Sequence, residues 1–107
     1  MIIGNIFDEK TSTDKTWYES SNILYSECVD NKDSLKTLVV TFKNGSTYQY
    51  NDVDVNDYVL FKHGGIDQSQ GKAFHKHIKP KYEFVKLDNR NVSLINEELE
   101  TLKKNQV

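Results

Sequence analysis

The stretch Thr37-Leu38-Val39-Val40-Thr41-Phe42-Lys43-Asn44-Gly45-Ser46-Thr47-Tyr48-Gln49-Tyr50-Asn51-Asp52-Val53 carries the strongest structural signal in the chain. Its first half is β-branched and apolar, as a strand requires. Asn44-Gly45 then supplies the positive backbone angles of a tight hairpin. Two registers compete. A two-residue Asn44-Gly45 loop puts Phe42 opposite Thr47 and Thr41 opposite Tyr48, with the tyrosines facing away from Leu38, Val40 and Phe42. A Lys43-Asn44-Gly45 loop with a glycine bulge puts Val40 opposite Tyr48 and Leu38 opposite Tyr50. A slip of one residue inverts every side chain, so burial selects the second register, which gathers the large groups on one face.

Outward from the hairpin, Trp17 to Asp30 reads as a segment entering a strand, with Ile23, Tyr25 and Val29 on one face. Asp30-Asn31-Lys32-Asp33 reads as a turn. Asp8 to Thr16 is polar, so residues 1–16 are expected to form a mobile N-terminal segment before a domain at 17–91. Asp54 or Asn56 caps a predicted helix over 57–63, with Tyr58, Leu60 and Phe61 as its buried stripe and Gly64-Gly65 as its end. A second helix is predicted from Ser69 to Ile78, stopped by Pro80. Tyr82 to Leu87 alternates as a short strand. A last helix begins near Ser93 and fills residues 92–107. Its stripe of Val92, Ile95, Leu99 and Leu102 docks either on the domain or on a second copy, which makes homo-oligomerisation through 92–107 an expected alternative. The fold class is α+β: a small antiparallel sheet built on the central hairpin, with packed helices and a C-terminal amphipathic helix.

Four pieces of this pattern, in order, resemble the KTSC domain, a small module found alone in bacterial and phage proteins and at the end of some lysyl-tRNA synthetases. They are Ser20-Ser21-Asn22-Ile23, the hairpin with its Tyr48-x-Tyr50, Val53 followed by Tyr58, and Ser69-x-Gly71-Lys72-x-Phe74 followed by Ile78. The chain departs from the family at Asp54, where proline is common, at the insertion Gly64-Gly65-Ile66, and in lacking an alanine before Ser69. The resemblance implies a small α+β domain. It suggests RNA binding and supplies no mechanism.

The chain has 107 residues, enough for one domain with a small core. Its net charge of −2 argues against a protein that coats DNA non-specifically. No apolar run reaches the roughly 20 residues of a membrane span. The start lacks the basic and apolar regions of a signal peptide, so the cytoplasm is the expected location and no membrane partner is expected. Cys28 is the only cysteine and is expected to be a buried, inert thiol. His75-x-His77 has the wrong spacing for two ligands on one helical face, so no metal site and no cofactor are expected. No nucleophile, Walker or dinucleotide pattern points to an enzyme, and no catalytic residue is assigned.

Charge is distributed unevenly. Residues 1–57 carry ten acids and five lysines, whereas 58–82 carry five lysines and one acid. Ser69 to Tyr82 holds no acid and includes Lys72, Lys76 and Lys79. Ser69-x-Gly71 at a helix start, followed by these lysines, is the pattern of a phosphate site. It is equally the pattern of an ordinary cap on a solvated basic face. Tyr48, Tyr50, Trp17 and Tyr18 supply rings that could stack on bases if exposed, or fill the core if not. The first functional expectation is therefore a non-catalytic protein that binds a nucleotide or cyclic oligonucleotide. Its ligand residues would be Ser69, Gly71, Lys72, Lys76, Lys79, Tyr48, Tyr50, Trp17 and Tyr18. The lysine-rich, arginine-poor small chain suits a phage protein that sequesters a cyclic-nucleotide immune signal. The alternatives are an RNA-binding accessory module and a protein-interaction module using the C-terminal helix.

Overall fold

In the computed structural model, residues 1–31, 35–64 and 69–105 are described. Residues 32 and 33 of the expected turn, and Gly65 and Ile66, lie outside them. Among the described residues the order is β1 (Ile2–Asp8), β2 (Thr13–Tyr18), β3 (Ile23–Asp30), β4 (Lys36–Phe42), β5 (Thr47–Val53), α1 (Val55–His63), α2 (Gln70–His77), β6 (Phe84–Leu87) and α3 (Val92–Lys104). The strands form one antiparallel sheet in their sequence order, β1 to β6. Helices α1 and α2 cover one face, and α3 covers part of the other. None of these helices is long and apolar enough to cross a membrane.

The central hairpin adopts the bulged register. Leu38 lies opposite Tyr50, Val40 opposite Tyr48 and Thr41 opposite Thr47. The Phe42 N–H donates to the Ser46 carbonyl at 2.8 Å, which encloses Lys43-Asn44-Gly45 as the loop. Gly45 has φ +91°, and a Cβ built on it would lie 2.9 Å from the Arg90 carbonyl oxygen. Both conditions require glycine. Gly45→Ala is therefore expected to cost about 1–2 kcal/mol from backbone geometry alone, read as a lower melting temperature by circular dichroism.

The N-terminal segment corrects the expectation of a mobile arm. Residues 2–8 and 13–18 form a hairpin that completes the sheet beside β3. Its polar groups are used inside the fold. The Asn5 side-chain amide donates to Asp14 at 2.8 Å, to Thr16 at 2.9 Å and to the Lys15 carbonyl. Asp14 also accepts from the Tyr58 hydroxyl and from Lys62 on α1. Those partners lie more than 40 residues away, so local polarity misrepresents the segment.

A second correction concerns β3. An irregularity between Ile23 and Tyr25 pairs Ile23 with Phe42 and Tyr25 with Thr41. The extra residue sends the two side chains to opposite faces. Ile23 joins Tyr18, Leu38, Val40, Tyr50, Phe61, Phe74 and Ile78 beneath α1 and α2. Tyr25 packs on Trp17 with ring centroids 5.0 Å apart, under Ile95 and Leu99 of α3. The Trp17 indole N–H donates to the Ile95 carbonyl at 3.0 Å. The C-terminal stripe thus docks on its own sheet.

The helix limits follow their caps. The Asp54 carboxylate accepts from the Asn56 N–H, and α1 ends at Gly64 with φ 74°. Tyr58 and Phe61 are buried, but Leu60 is exposed. At 100° per residue Leu60 falls about 200° from Tyr58, on the opposite side of the helix. Ser69 caps α2 by accepting from the Lys72 N–H at 3.2 Å. Strand β6 starts at Phe84 and not at Tyr82. The Tyr82 hydroxyl instead donates to Asp57 at 2.6 Å and ties the connection to α1.

Candidate aromatic cleft

On the face that α1 and α2 cover, at the edge of that cover, lies a cleft of about 550 Å³. The hairpin register creates its floor. Phe42, Tyr48 and Tyr50 project to one side of β4 and β5, and Phe84 continues the row on β6, opposite Tyr50. Phe74 of α2 closes the inner wall. Its ring centroid is 5.5 Å from that of Phe42 and 5.6 Å from that of Tyr50. The Tyr48 ring lies edge-on to Phe42 at 5.8 Å and to Phe84 at 5.4 Å. These edge-to-face contacts set ring orientation as well as burying area.

The rim is polar and cationic. Lys43 and Asn44 come from the hairpin loop, Ser46 from its far side, and Ser21 and Asn22 from the turn before β3. The Lys43 N–H donates to the Asn22 carbonyl at 2.8 Å, which locks loop and turn together. The Ser20 hydroxyl accepts from the Asn22 and Ile23 amides. His75 of α2 and Lys79, just past its C-cap, complete the rim. No carboxylate lines the cleft among the described residues, and neither Lys43 nor Lys79 is in an ion pair there. A chain of negative net charge therefore presents a locally basic cleft.

The floor is not uniformly accessible. Tyr50 is 3% exposed, and burial pushes its hydroxyl up to about 12, so it stays a neutral hydrogen-bonding group. Tyr48 is half-buried, with Lys86 Nζ 5.6 Å from its ring centroid. Phe84 is 57% exposed and offers the largest free ring surface.

Of the residues expected to contact a ligand, Tyr48, Tyr50 and Lys79 meet in this cleft. Ser69 and Gly71 do not line it: they stand at the start of α2, where the Ser69 hydroxyl is already used as a cap and a Cβ on Gly71 would meet the Asn22 side chain at 4.0 Å. Lys72 and Lys76 are exposed on α2 and do not line the cleft. Trp17 and Tyr18 are each only 2% exposed. As strand neighbours they enter opposite faces, and helices cover both. The Tyr18 hydroxyl is paired with Ser26 at 2.7 Å. Neither ring can stack on a ligand in this structure. Cys28 is buried, and desolvation pushes its thiol up to about 12. It is poorly poised as a nucleophile.

Sequence reasoning missed Ser21, Asn22, Phe42, Lys43, Asn44, Ser46, Phe74, His75 and Phe84 as lining residues. The bulged register carried a signal for Phe42, which it puts on the tyrosine side. Nothing local joins the Ser21-Asn22 turn to the hairpin loop.

The family model of the KTSC domain matches residues 19–82, from the turn before β3 to the end of the α2 connection. That span holds all the lining residues except Phe84. No curated protein matches the chain.

Proposed function

The chain belongs to the KTSC domain family, and from that premise we propose that its cleft binds a nucleotide without catalysing its conversion. One observation carries the reading: an aromatic floor and two lysines free of acidic partners among the described residues share a single cleft. A base stacks on exposed ring surface at Phe84 and Tyr48, where any base offers a π-face. A phosphate is held by Lys43 and Lys79 as point charges, with Asn22, Asn44 and Ser46 available as hydrogen-bonding partners. The volume falls in the range of small-molecule sites. In its narrowest form the reading is sequestration, in which a cyclic di- or trinucleotide is held and recovered intact on denaturation.

The test is a thermal-shift and calorimetric series with mononucleotides, cyclic dinucleotides, cyclic trinucleotides and short single-stranded RNA. A ligand at 100 times its Kd is expected to stabilise the native state by about 2.7 kcal/mol. Lys43→Ala/Lys79→Ala is expected to weaken binding about tenfold or more, equivalent to about 1.4 kcal/mol. Lys72→Ala/Lys76→Ala should leave a mononucleotide's affinity within about twofold, because those side chains lie outside the cleft. Silence with every nucleotide, or a Kd indifferent to Lys43 and Lys79, would sink the proposal.

A second reading has its own observation. Lys76 and Lys72 lie on α2, back along the chain from Lys79 just past its C-cap, and all three are exposed. A single-stranded RNA with one base in the cleft could lay further phosphates along that row. It would then bind more tightly than any mononucleotide, lose affinity steeply with salt, and respond to the Lys72/Lys76 double variant.

A further inference from the structure

Strand β6 ends the strand order of the sheet, and β5 is its neighbour on one side. Among the described residues no strand pairs with its other edge, which leaves backbone N–H and C=O groups there for a further strand. Phe84 is 57% and Val85 52% exposed, on opposite faces of the sheet. We propose that a second copy of this chain covers this edge, with the two β6 strands antiparallel about a two-fold axis at Val85.

Face and charge choose the register. A two-fold axis along the sheet normal keeps each face on its own side, so only residues of the same face can oppose each other. Centring on Val85 sets it against the partner's Val85 and sets Phe84 against the partner's Lys86. An ammonium then meets an aromatic ring, the type of contact Lys86 already makes with Tyr48. Centring on Lys86 sets two lysines directly opposite, which is unfavourable. Centring on Phe84 or on Leu87 moves Lys86 beyond the end of the partner strand, opposite Tyr82 or Asp88. Phe84-Val85-Lys86-Leu87 is thus self-complementary in one register, as an isologous interface requires. A lysine on an edge strand ordinarily discourages pairing. In this register it finds a ring.

Self-association was expected through residues 92–107, but Ile95 and Leu99 are spent inside the chain. The edge at β6 carries it instead. The pairing joins two sheets into one, with both clefts on the same face. Because Phe84 lines the cleft, the partner's Lys86 arrives at the cleft's open side. The interface holds whether or not the cleft takes a nucleotide.

Sedimentation velocity of the full chain, at concentrations up to about 0.1 mM, should show a dimer growing in with concentration, as a short interface of the weak class does. Val85→Lys should abolish the dimer and leave the melting temperature unchanged at concentrations low enough for the wild type to be a monomer, since the side chain is 52% exposed. Val85→Cys should form an intermolecular disulfide at least about tenfold faster than Asn96→Cys on the exposed side of α3. The wild type, with Cys28 buried, should form none. A monomer at every concentration together with no fast Val85→Cys cross-link overturns the proposal. A dimer that survives Val85→Lys also overturns it, by placing the contact elsewhere. Neither readout involves a nucleotide, so this inference and the proposed function fail separately.

Discussion

Phe74→Ala is expected to destabilise the protein by about 3–5 kcal/mol, the range for removing a buried aromatic ring from a core. Phe74 is 2% exposed and lies at the meeting point of the two helices and the sheet. Its ring contacts Phe42 and Tyr50 on the sheet and Phe61 on α1, at centroid distances of 5.5, 5.6 and 6.1 Å. Domains of this size are stable by about 5–15 kcal/mol in total, so the loss is a large fraction. The melting temperature should fall by at least about 12 °C, taking about 4 °C per kcal/mol. Phe84→Ala is the matched control. Phe84 is mostly exposed, so its loss should cost under about 1 kcal/mol while still weakening nucleotide binding. Denaturant melts of both variants separate the two roles. A Phe74→Ala protein that loses less than about 1 kcal/mol would show that this ring does not dock α2.

The second large effect is at Asp14, where β2 meets α1. Burial by itself pushes this carboxyl upward. Hydrogen bonds from Lys62, Tyr58 and Asn5, with the charge of Lys62, outweigh burial and hold its pKa below the ordinary carboxylate value. The Asp14 and Lys62 side chains are 19% and 16% exposed. Asp14→Ala leaves a largely buried ammonium and hydroxyl without their acceptor. The expected cost is about 2–3 kcal/mol, below that of breaking a fully buried pair because some solvent reaches the site. The sign of the pH dependence follows from the lowered pKa. The stabilisation is complete above the unfolded carboxyl's pKa of about 4 and is lost as pH falls through the folded value. Stability of the wild type should therefore drop on acidification from about pH 4 downward. Asp14→Asn should flatten part of that drop but not all of it. Asp57 is also held low, since bonds from Tyr82 and Lys81 overcome its desolvation, and it titrates in the same window. Denaturant midpoints measured from pH 6 to pH 2 give the comparison. Equal slopes for wild type and Asp14→Asn would remove Asp14 from the acid response.

Some elements can be read from the chain because their determinants are local. Asn44-Gly45 supplies the turn, and alternation from Leu38 to Tyr50 sets which register buries the large side chains. Asp54, Gly64 and Ser69 mark helix limits because caps act within one turn of the helix. The N-terminal hairpin reads as a polar arm because Asp14 finds Tyr58 and Lys62 only after α1 has docked. The irregularity between Ile23 and Tyr25 leaves no mark that alternation can detect. The candidate site divides in the same way. Tyr48, Tyr50 and Lys79 are visible as rings and charge in motifs. Asn22 and Lys43 become neighbours only when the turn before β3 bonds to the hairpin loop.

The hairpin and its register, the stop at Gly64, the cap at Ser69, the α+β class and the basic character of the segment from Ser69 to Tyr82 are legible in the chain, whereas α1 starts at Val55, before the expected 57, and α3 is described to Lys104. Each of the legible features depends on backbone preference, side-chain period or charge, and these are carried by residues a few positions apart. Packing, by contrast, places a helix over each side of β2, which makes Trp17 and Tyr18 core and not stacking surfaces. It also decided that α3 docks within its own chain and that the aromatic floor and cationic rim share a cleft. Those outcomes depend on which distant segments exclude water together, and burial is a property of the packed whole.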